Sequence, residues 1–194
     1  MNIESHQKII VITAPSGAGK TSIVQCLLNK YPQYLGFSIS AATRPPRPRE
    51  INGKDYYFMS PEEFKNKIQQ DEFVEWEMVY EGKYYGTLKS ELERIWNLGK
   101  TPLLDIDVQG AVHVQQYFPA QTLAIFIQPP SFDELKKRLH SRGTETAESL
   151  AARINKASYE LSFKDQFSHI IVNEQLESAC KEAEALVTRY LHIV

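Results

Sequence analysis

The chain has 194 residues, and its 22 lysines and arginines against 24 aspartates and glutamates leave a formal charge of −2. With 42% hydrophobic and 24% charged residues it has a globular composition, which excludes a disordered or collagen-like chain. No apolar run approaches the roughly 20 residues of a membrane span, the start of the sequence does not resemble a signal peptide, and the near-neutral charge argues against general nucleic-acid binding. We therefore expect one cytoplasmic domain, or a core with a small insertion, that binds neither membranes nor nucleic acid.

Strands and helices alternate along the predicted secondary structure. A short β-branched run at 9–12 predicts a buried strand, and the glycine-rich segment after it leads into a helical apolar pattern that ends before Pro32. Further strands are predicted at 103–107, 123–127 and 169–172, and further helices at 131–139, 150–161 and 176–190. Because such an alternation gives right-handed crossover connections, we predict an α/β fold with a parallel sheet.

Residues 37–96 have a different pattern. Strand-like pieces at 55–58 and 73–76 flank a small helix that begins near Ser60, and prolines interrupt the segment. We predict a mixed α/β lobe inserted into the parallel-sheet core.

The segment after the first strand carries the strongest chemical signal, and it reads Ala14-Pro15-Ser16-Gly17-Ala18-Gly19-Lys20-Thr21. It matches the phosphate-binding loop pattern, with Ala14 in place of the first glycine, and a strand precedes it and a helix follows it as that pattern requires. Backbone N–H groups of such a loop bind phosphate oxygens, Lys20 contacts the β- and γ-phosphates, and the Thr21 hydroxyl binds Mg²⁺. We predict nucleoside triphosphate binding; the alternative is an ordinary glycine turn.

Two carboxylates, Asp105 and Asp107, end the strand predicted at 103–107. Because side chains alternate along a strand, we expect both on the same face. In a phosphate-loop fold that end of the strand lies beside the nucleotide, where an acid can hold Mg²⁺ directly or through water. The alternative is a pair of acids that caps the turn before Gly110.

Three arginines, Arg44, Arg47 and Arg49, lie within six residues of a proline-rich segment. Arginine presents a planar fork that suits phosphate oxygens, and the prolines restrict the backbone that carries these side chains. Since the chain already has a phosphate loop, and tyrosines follow at Tyr56 and at 84–85, we predict a second phosphate site. The alternative is a solvated charged loop.

Glu75 is an acid within an otherwise apolar predicted strand. Guanine presents its N1–H and 2-amino donors side by side, which suits a carboxylate, whereas adenine would leave that carboxylate unpaired. A site built on such hydrogen bonds rejects the wrong base strongly, so we predict guanine recognition. The alternative is that Glu75 lies on the solvent face of a half-buried strand.

A basic cluster follows the helix that begins at Ser131. Arg138 and Arg142 are four residues apart and share a helix face, and Arg153 lies on the next predicted helix. Positive side chains on a mobile segment can close over a transferring phosphoryl group and neutralise its charge. The alternative is a solvated basic helix.

Together these motifs resemble the guanylate kinase family, over about residues 9–190. The segments that carry the resemblance are 15–20, 43–47, 53–56, 73–76, 84–86, 104–107 and 142–145. The resemblance implies a P-loop kinase fold in a single domain, with a three-layer core around a central five-stranded parallel sheet (1–36 and 97–194). It also implies an inserted GMP-binding lobe at about 37–96 and a helical lid at about 137–153.

The resemblance further implies that ATP and GMP react to ADP and GDP with Mg²⁺. The residues that it places at the GMP phosphate are Ser40, Arg44, Arg47, Tyr56 and Tyr85. Those that it places at guanine are Glu75, Thr87 and Asp107, where Thr87 replaces the serine of many members. Catalytic roles follow for Lys20, Arg44, Arg138, Arg142 and Arg153, and Mg²⁺ binding for Thr21 and Asp105.

We predict direct in-line transfer, because the acceptor phosphate is already anionic and the protein must mainly align two anions and offset their repulsion. Two other functions stay open: a non-catalytic guanylate kinase-like interaction module, and a P-loop kinase for another phosphorylated acceptor. The retention of Lys20, Thr21, Arg138 and Arg142 argues against the first. The sequence does not decide between GMP and dGMP, or between a monomer and a homodimer.

Overall fold

The computed structural model describes residues 7–140 and 147–193. The strands in these segments are β1 (Ile9–Thr13), β2 (Leu35–Phe37), β3 (Ala41–Ala42), β4 (Tyr57–Phe58), β5 (Phe73–Tyr80), β6 (Lys83–Leu88), β7 (Thr101–Asp105), β8 (Thr122–Gln128) and β9 (His169–Val172). The helices are α1 (Lys20–Lys30), α2 (Pro61–Gln69), α3 (Lys89–Asn97), α4 (Val108–Tyr117), α5 (Phe132–His140), α6 (Ala147–Leu161) and α7 (Leu176–Leu191), with a 3₁₀ turn at Lys164–Gln166.

A five-stranded sheet forms the centre of the molecule. Its strands are all parallel and lie in the order β2-β7-β1-β8-β9. Side chains alternate across it, so that Ile10 and Ile12 pack with α1 and α7, whereas Ile9 and Val11 pack with α3 and α4. Burial on both faces explains the continuous apolar runs of β1 and β8. The edge strand β9 is less buried than its sequence predicts, because Ile170 and Val172 are exposed. The predicted α/β fold with a parallel sheet between two helical layers is confirmed.

A second, mixed sheet lies within the predicted insertion, with the strand order β4-β3-β6-β5. Its small core stacks Phe64 of α2 on Phe73 of β5, with ring centroids 4.3 Å apart. The predicted boundaries at 37 and 96 also enclose α3, but Leu92 of that helix packs in the central core. The elements that belong to the second core are therefore β3 to β6 and α2.

The strand that carries the two aspartates ends earlier than predicted. Asp105 is the last residue of β7, whereas Asp107 is the N-cap of α4, and its carboxylate accepts a hydrogen bond from the Gly110 N–H at 2.9 Å. The prediction that both acids lie on one strand face is wrong for Asp107, because an aspartate at this position satisfies an unpaired N–H group of the first helical turn.

The helices of the predicted lid are described on both sides of residues 141–146. Ser131 Oγ accepts the Glu134 N–H at 3.1 Å at the start of α5, as its capping-box spacing predicts. Leu135 and Leu139 of that helix pack with Ala157 of α6. Arg142 lies outside the described residues. Across 7–140 and 147–193, no helix is both long and apolar enough to cross a membrane.

Candidate active site

The predicted phosphate loop connects β1 to α1 at the carboxyl end of the central sheet. Gly17 and Gly19 have φ values of +91° and +94°, which only glycine adopts readily. Gly19 also lies against the Asn173 side chain, whose Nδ2 donates to the Ala18 carbonyl at 2.8 Å, and a Cβ would clash there. Ala14, which stands in place of the first glycine of the pattern, is buried and packs in the central core.

Lys20 lies between the loop and the end of β7. Its Nζ is 2.8 Å from Asp105 Oδ1 and donates to the Ile106 carbonyl at 2.8 Å. Burial by itself lowers the pKa of Lys20, but the carboxylates of Asp105, Asp107 and Glu160 together outweigh burial, and the pKa is raised above its usual value. The ammonium group therefore stays charged at the place where a nucleotide's phosphates would add negative charge.

Thr21 and Asp105 could hold a magnesium ion together with a nucleotide. The Thr21 hydroxyl donates to Asp105 Oδ2 at 3.5 Å, so two oxygen ligands from different elements meet beside the loop. Mg²⁺ prefers oxygen ligands and is usually bound by one or two carboxylates, several waters and the substrate's phosphates. The side chains present fit that ion.

A cavity of about 290 Å³ lies over the loop. Besides the residues of the loop itself, it is lined by Asp107 and by three side chains of α6, which are Arg153, Lys156 and Glu160. Arg153 Nη2 donates to Ser16 Oγ at 3.0 Å. The α6 helix thus brings one predicted lid arginine to the phosphate loop.

Glu160 was not identified from the sequence, yet it contacts the loop directly. Its Oε2 accepts the Ser16 N–H at 3.0 Å, and the residue is only 5% exposed. Burial raises the pKa of Glu160, while the Ser16 N–H and the nearby Lys156 and Lys20 act in the opposite direction. The available signal was its position seven residues after Arg153, which places both on one helix face.

Arg138, the other lid arginine that the structure describes, makes different contacts. It donates to the Asn173 carbonyl at 3.2 Å and pairs with Glu134 of its own helix at 3.4 Å. Because Asn173 also bonds to Ala18, Arg138 is connected to the phosphate loop through one residue. Sequence analysis missed Asn173, because this link joins residues far apart in the chain.

A second cavity, of about 140 Å³, lies between the mixed sheet and the end of β7. Five of the predicted GMP contacts line it: Ser40, Tyr56, Glu75, Tyr85 and Asp107. Asp105 and Glu77 line it as well, and Glu77 was not singled out from the sequence. Since Asp107 lines both this cavity and the one over the loop, the two cavities are neighbours.

Glu75 lines this second cavity and is buried. It is 6% exposed, so the alternative that it faces solvent is wrong. Thr87 lies opposite it on β6 and donates to Oε1 at 2.6 Å. A Cβ on Gly110 would lie 2.6 Å from Glu75 Oε2, so glycine allows α4 to approach the carboxylate. Burial raises the pKa of Glu75 to about 8, although the Thr87 hydrogen bond lowers it and the Asp107 charge adds to the rise.

Arg44 lies beside the same cavity and is held on two sides. Its guanidinium bonds both oxygens of Glu50, at 2.6 and 2.7 Å, and lies 4.8 Å from the centroid of the Tyr56 ring. The Arg44 hydrogen bonds lower the pKa of Glu50 to about 2. Arg47 contributes its backbone N–H to Glu50 at 2.7 Å, while the residue itself is exposed. Glu50 is a further residue that sequence analysis did not single out.

The two adjacent tyrosines have different environments. Tyr85 lines the second cavity, and its ring centroid lies 6.1 Å from that of Tyr56. Burial raises the pKa of Tyr85, against the effect of Arg44. Tyr84 instead packs against the Phe64 ring at 5.6 Å, within the core of the lobe. Tyr85 is therefore the tyrosine of this pair that faces the site.

Comparisons with known proteins show which family the chain resembles. A family model described as guanylate kinase matches residues 6–190. The chain is 45% identical over 184 residues to the guanylate kinase of Porphyromonas gingivalis, and this alignment covers 95% of this chain and 98% of the relative. It is 44% identical over 191 residues to that of Chlorobium chlorochromatii, with 98% and 100% covered.

A solved structure gives the same result. The crystal structure of guanylate kinase from Anaplasma phagocytophilum superposes with a TM-score of 0.73 at 29% identity, covering 96% of this chain and 87% of that one. Sequence relatives and a structural neighbour therefore agree over nearly the whole length. The chain belongs to the guanylate kinase family.

Proposed function

We propose that this protein transfers the γ-phosphoryl group of ATP to GMP and releases ADP and GDP. The observation that carries the proposal is the adjacency of two cavities with different linings. One lies over a phosphate loop, and the other has a buried carboxylate at Glu75 and an arginine with two tyrosines beside it. Asp107 lines both cavities, so two nucleotides bound in them would be neighbours.

On the ATP side, the loop of residues 14–21 would bind the β- and γ-phosphates through backbone N–H groups other than that of Ser16, which donates to Glu160, and through the positive end of α1. Lys20 supplies a full positive charge, and Asp105 holds its Nζ within 2.8 Å. Thr21 and Asp105 would hold Mg²⁺, directly or through water. The ion would offset phosphate charge and orient the γ-phosphate.

On the GMP side, the charged Glu75 would accept hydrogen bonds from the N1–H and 2-amino groups of guanine. Thr87 orients the carboxylate, and Asp107 would accept a further donor of the base. Because hydrogen bonds to a carboxylate favour its charged form, guanine binding would lower the raised pKa of Glu75. The GMP phosphate would lie among Ser40, Arg44, Arg47, Tyr56 and Tyr85.

The transfer itself requires alignment and charge neutralisation. An oxygen of the GMP phosphate attacks the γ-phosphorus in line with the departing ADP, and no covalent enzyme intermediate forms. The negative charge on the phosphoryl group would be offset by five basic side chains, those of Lys20, Arg44, Arg138, Arg142 and Arg153. Closure of the lid over both nucleotides would exclude water, which would otherwise accept the phosphoryl group.

An assay of ADP release tests the proposal. Purified protein with ATP and Mg²⁺ is supplied in turn with GMP, dGMP, AMP, CMP or UMP. We expect release with GMP, and the rate with dGMP measures whether the 2′-hydroxyl matters. Preferential release with another acceptor would support a different P-loop kinase, and no release with any acceptor would support a non-catalytic module.

A further inference from the structure

The α6 helix is attached to the phosphate loop at two atoms of one residue. Arg153 donates to the side-chain oxygen of Ser16, and Glu160 accepts the backbone N–H of the same residue, both at 3.0 Å. Arg153 and Glu160 are seven residues apart, or two helical turns, so they project from the same face. The first contact is made by Arg153, a predicted catalytic residue. The second holds the backbone of Ser16, the residue to which Arg153 bonds.

Burial distinguishes Glu160 from an ordinary helix surface acid. It is 5% exposed, and its second oxygen, Oε1, lies 3.9 Å from the Nζ of Lys156. A buried carboxylate is costly unless its oxygens are paired, so its contacts constrain where α6 can lie. The hydrogen bond to Ser16 joins positions 144 residues apart, across the predicted lid.

We propose that Glu160 is a positioning residue for Arg153. By accepting the Ser16 N–H, Glu160 holds α6 against the phosphate loop, so that the Arg153 guanidinium lies over the site where the γ-phosphoryl group would be transferred. The inference rests on the proposed function, because it takes Arg153 as a group that contacts the phosphoryl. Glu160 acts through Arg153 and need not contact either nucleotide.

Loss of this contact should act mainly on the chemical step. If α6 shifts, the Arg153 guanidinium is misplaced, and a misplacement of about 1 Å can cost roughly 100-fold in rate. GMP would still bind, since its predicted contacts come from residues 40–87 and from Asp107 and none comes from α6. Glu160→Ala should therefore lower kcat by about 10- to 100-fold and change KM for GMP by less than about three-fold.

A double-mutant cycle tests the inference. Steady-state kcat and KM are measured for the wild type, Glu160→Ala, Arg153→Ala and the double variant. If Glu160 acts through Arg153, the double variant should be no slower than Arg153→Ala alone, within about two-fold. Glu160→Gln, which keeps an oxygen for the Ser16 N–H, should restore kcat to within about five-fold of the wild type. Glu182→Ala, an exposed acid on α7, is the matched control.

The outcomes are distinct. Three results would each overturn the positioning role. They are losses in kcat that multiply in the double variant, an unchanged kcat in Glu160→Ala, and a Glu160→Gln variant as slow as Glu160→Ala. If thermal melting shows that Glu160→Ala does not fold, Glu160→Met replaces it in the same cycle. Methionine preserves the volume of the side chain and removes the acceptor of the Ser16 hydrogen bond. A wild type that does not phosphorylate GMP would overturn the proposed function as well, whereas an active wild type with multiplying losses would overturn this inference alone.

Discussion

Glu75 and Thr87 face each other across β5 and β6, both are buried, and the Thr87 hydroxyl donates to the Glu75 carboxylate at 2.6 Å. In the proposed function the Glu75 carboxylate recognises guanine, and the Thr87 hydrogen bond orients that carboxylate. Because the carboxylate is surrounded by protein, a base must supply the remaining hydrogen bonds. A base without adjacent donors would leave it unpaired at a substantial cost in free energy.

Glu75→Gln should reduce the selectivity for GMP over AMP. The amide keeps the size of the side chain but replaces one acceptor oxygen with a donor, which opposes the donors of guanine. We expect kcat/KM for GMP to fall by at least about 100-fold, with a much smaller change for AMP. The measurement is the ratio of the two kcat/KM values, with Glu62→Gln on the exposed start of α2 as control. An unchanged ratio would remove Glu75 from base recognition.

The pKa of Glu75, about 8, predicts a pH dependence of stability in the protein without nucleotide. Since this pKa is raised above its value in the unfolded chain, the folded state binds the proton more tightly. The contribution of Glu75 to the free energy of unfolding therefore falls as pH rises from about 5 to about 8, and levels off above it.

Urea unfolding of the wild type and Glu75→Gln between pH 5 and pH 9 measures this effect. Other titrating groups are common to both proteins and cancel in the difference. We expect the wild type to lose stability relative to the variant as pH increases through this range. Parallel curves for the two proteins would show that the pKa of Glu75 is not raised.

Lys20→Ala should abolish turnover and leave the fold intact. The ammonium group lies at the end of the loop, 2.8 Å from Asp105, where it would neutralise the β- and γ-phosphates. We expect kcat to fall by roughly 1,000-fold or more, with a circular dichroism spectrum like that of the wild type. Lys181→Ala, on the surface of α7, serves as control. Turnover close to wild-type rates would contradict the role given to Lys20.

Arg44→Lys should weaken GMP binding while leaving ATP binding unchanged. Arg44 uses its planar guanidinium to bond both Glu50 oxygens and to lie over the Tyr56 ring, and lysine has no such fork. We expect KM for GMP to rise by about 10-fold or more and KM for ATP to stay within about two-fold. Arg189→Lys, at an exposed position on α7, is the matched control. Equal increases in both KM values would indicate a general structural defect.

Local signals in the sequence were sufficient for much of the fold. The β-branched run at 9–12 and the glycines after it predicted β1 and the loop, because burial on both faces and positive φ values each restrict residue type. The end of β7 was predicted less well. The residue pattern predicted a strand that extends to Asp107. Asp107 instead accepts a hydrogen bond from the Gly110 N–H and caps α4.

Two acids that bond predicted site residues were harder to identify from the sequence. Glu160 and Glu50 each bond a residue that motif reasoning had identified, Ser16 in one case and Arg44 in the other. Neither acid belongs to a recognised sequence motif, and Glu160 lies 144 residues from Ser16 along the chain. Such partners are set by tertiary packing, which spacing along one chain does not reveal.

The proposed function requires that the two neighbouring cavities bind ATP and GMP end to end. Calorimetric titration with a bisubstrate compound, adenosine joined to guanosine through five phosphates, tests it most directly. We predict one molecule bound per chain, more tightly than ATP or GMP alone because both sites are occupied at once, and no further binding of GMP to the saturated protein. Binding no tighter than that of ATP, or GMP binding that persists after saturation, would contradict the claim.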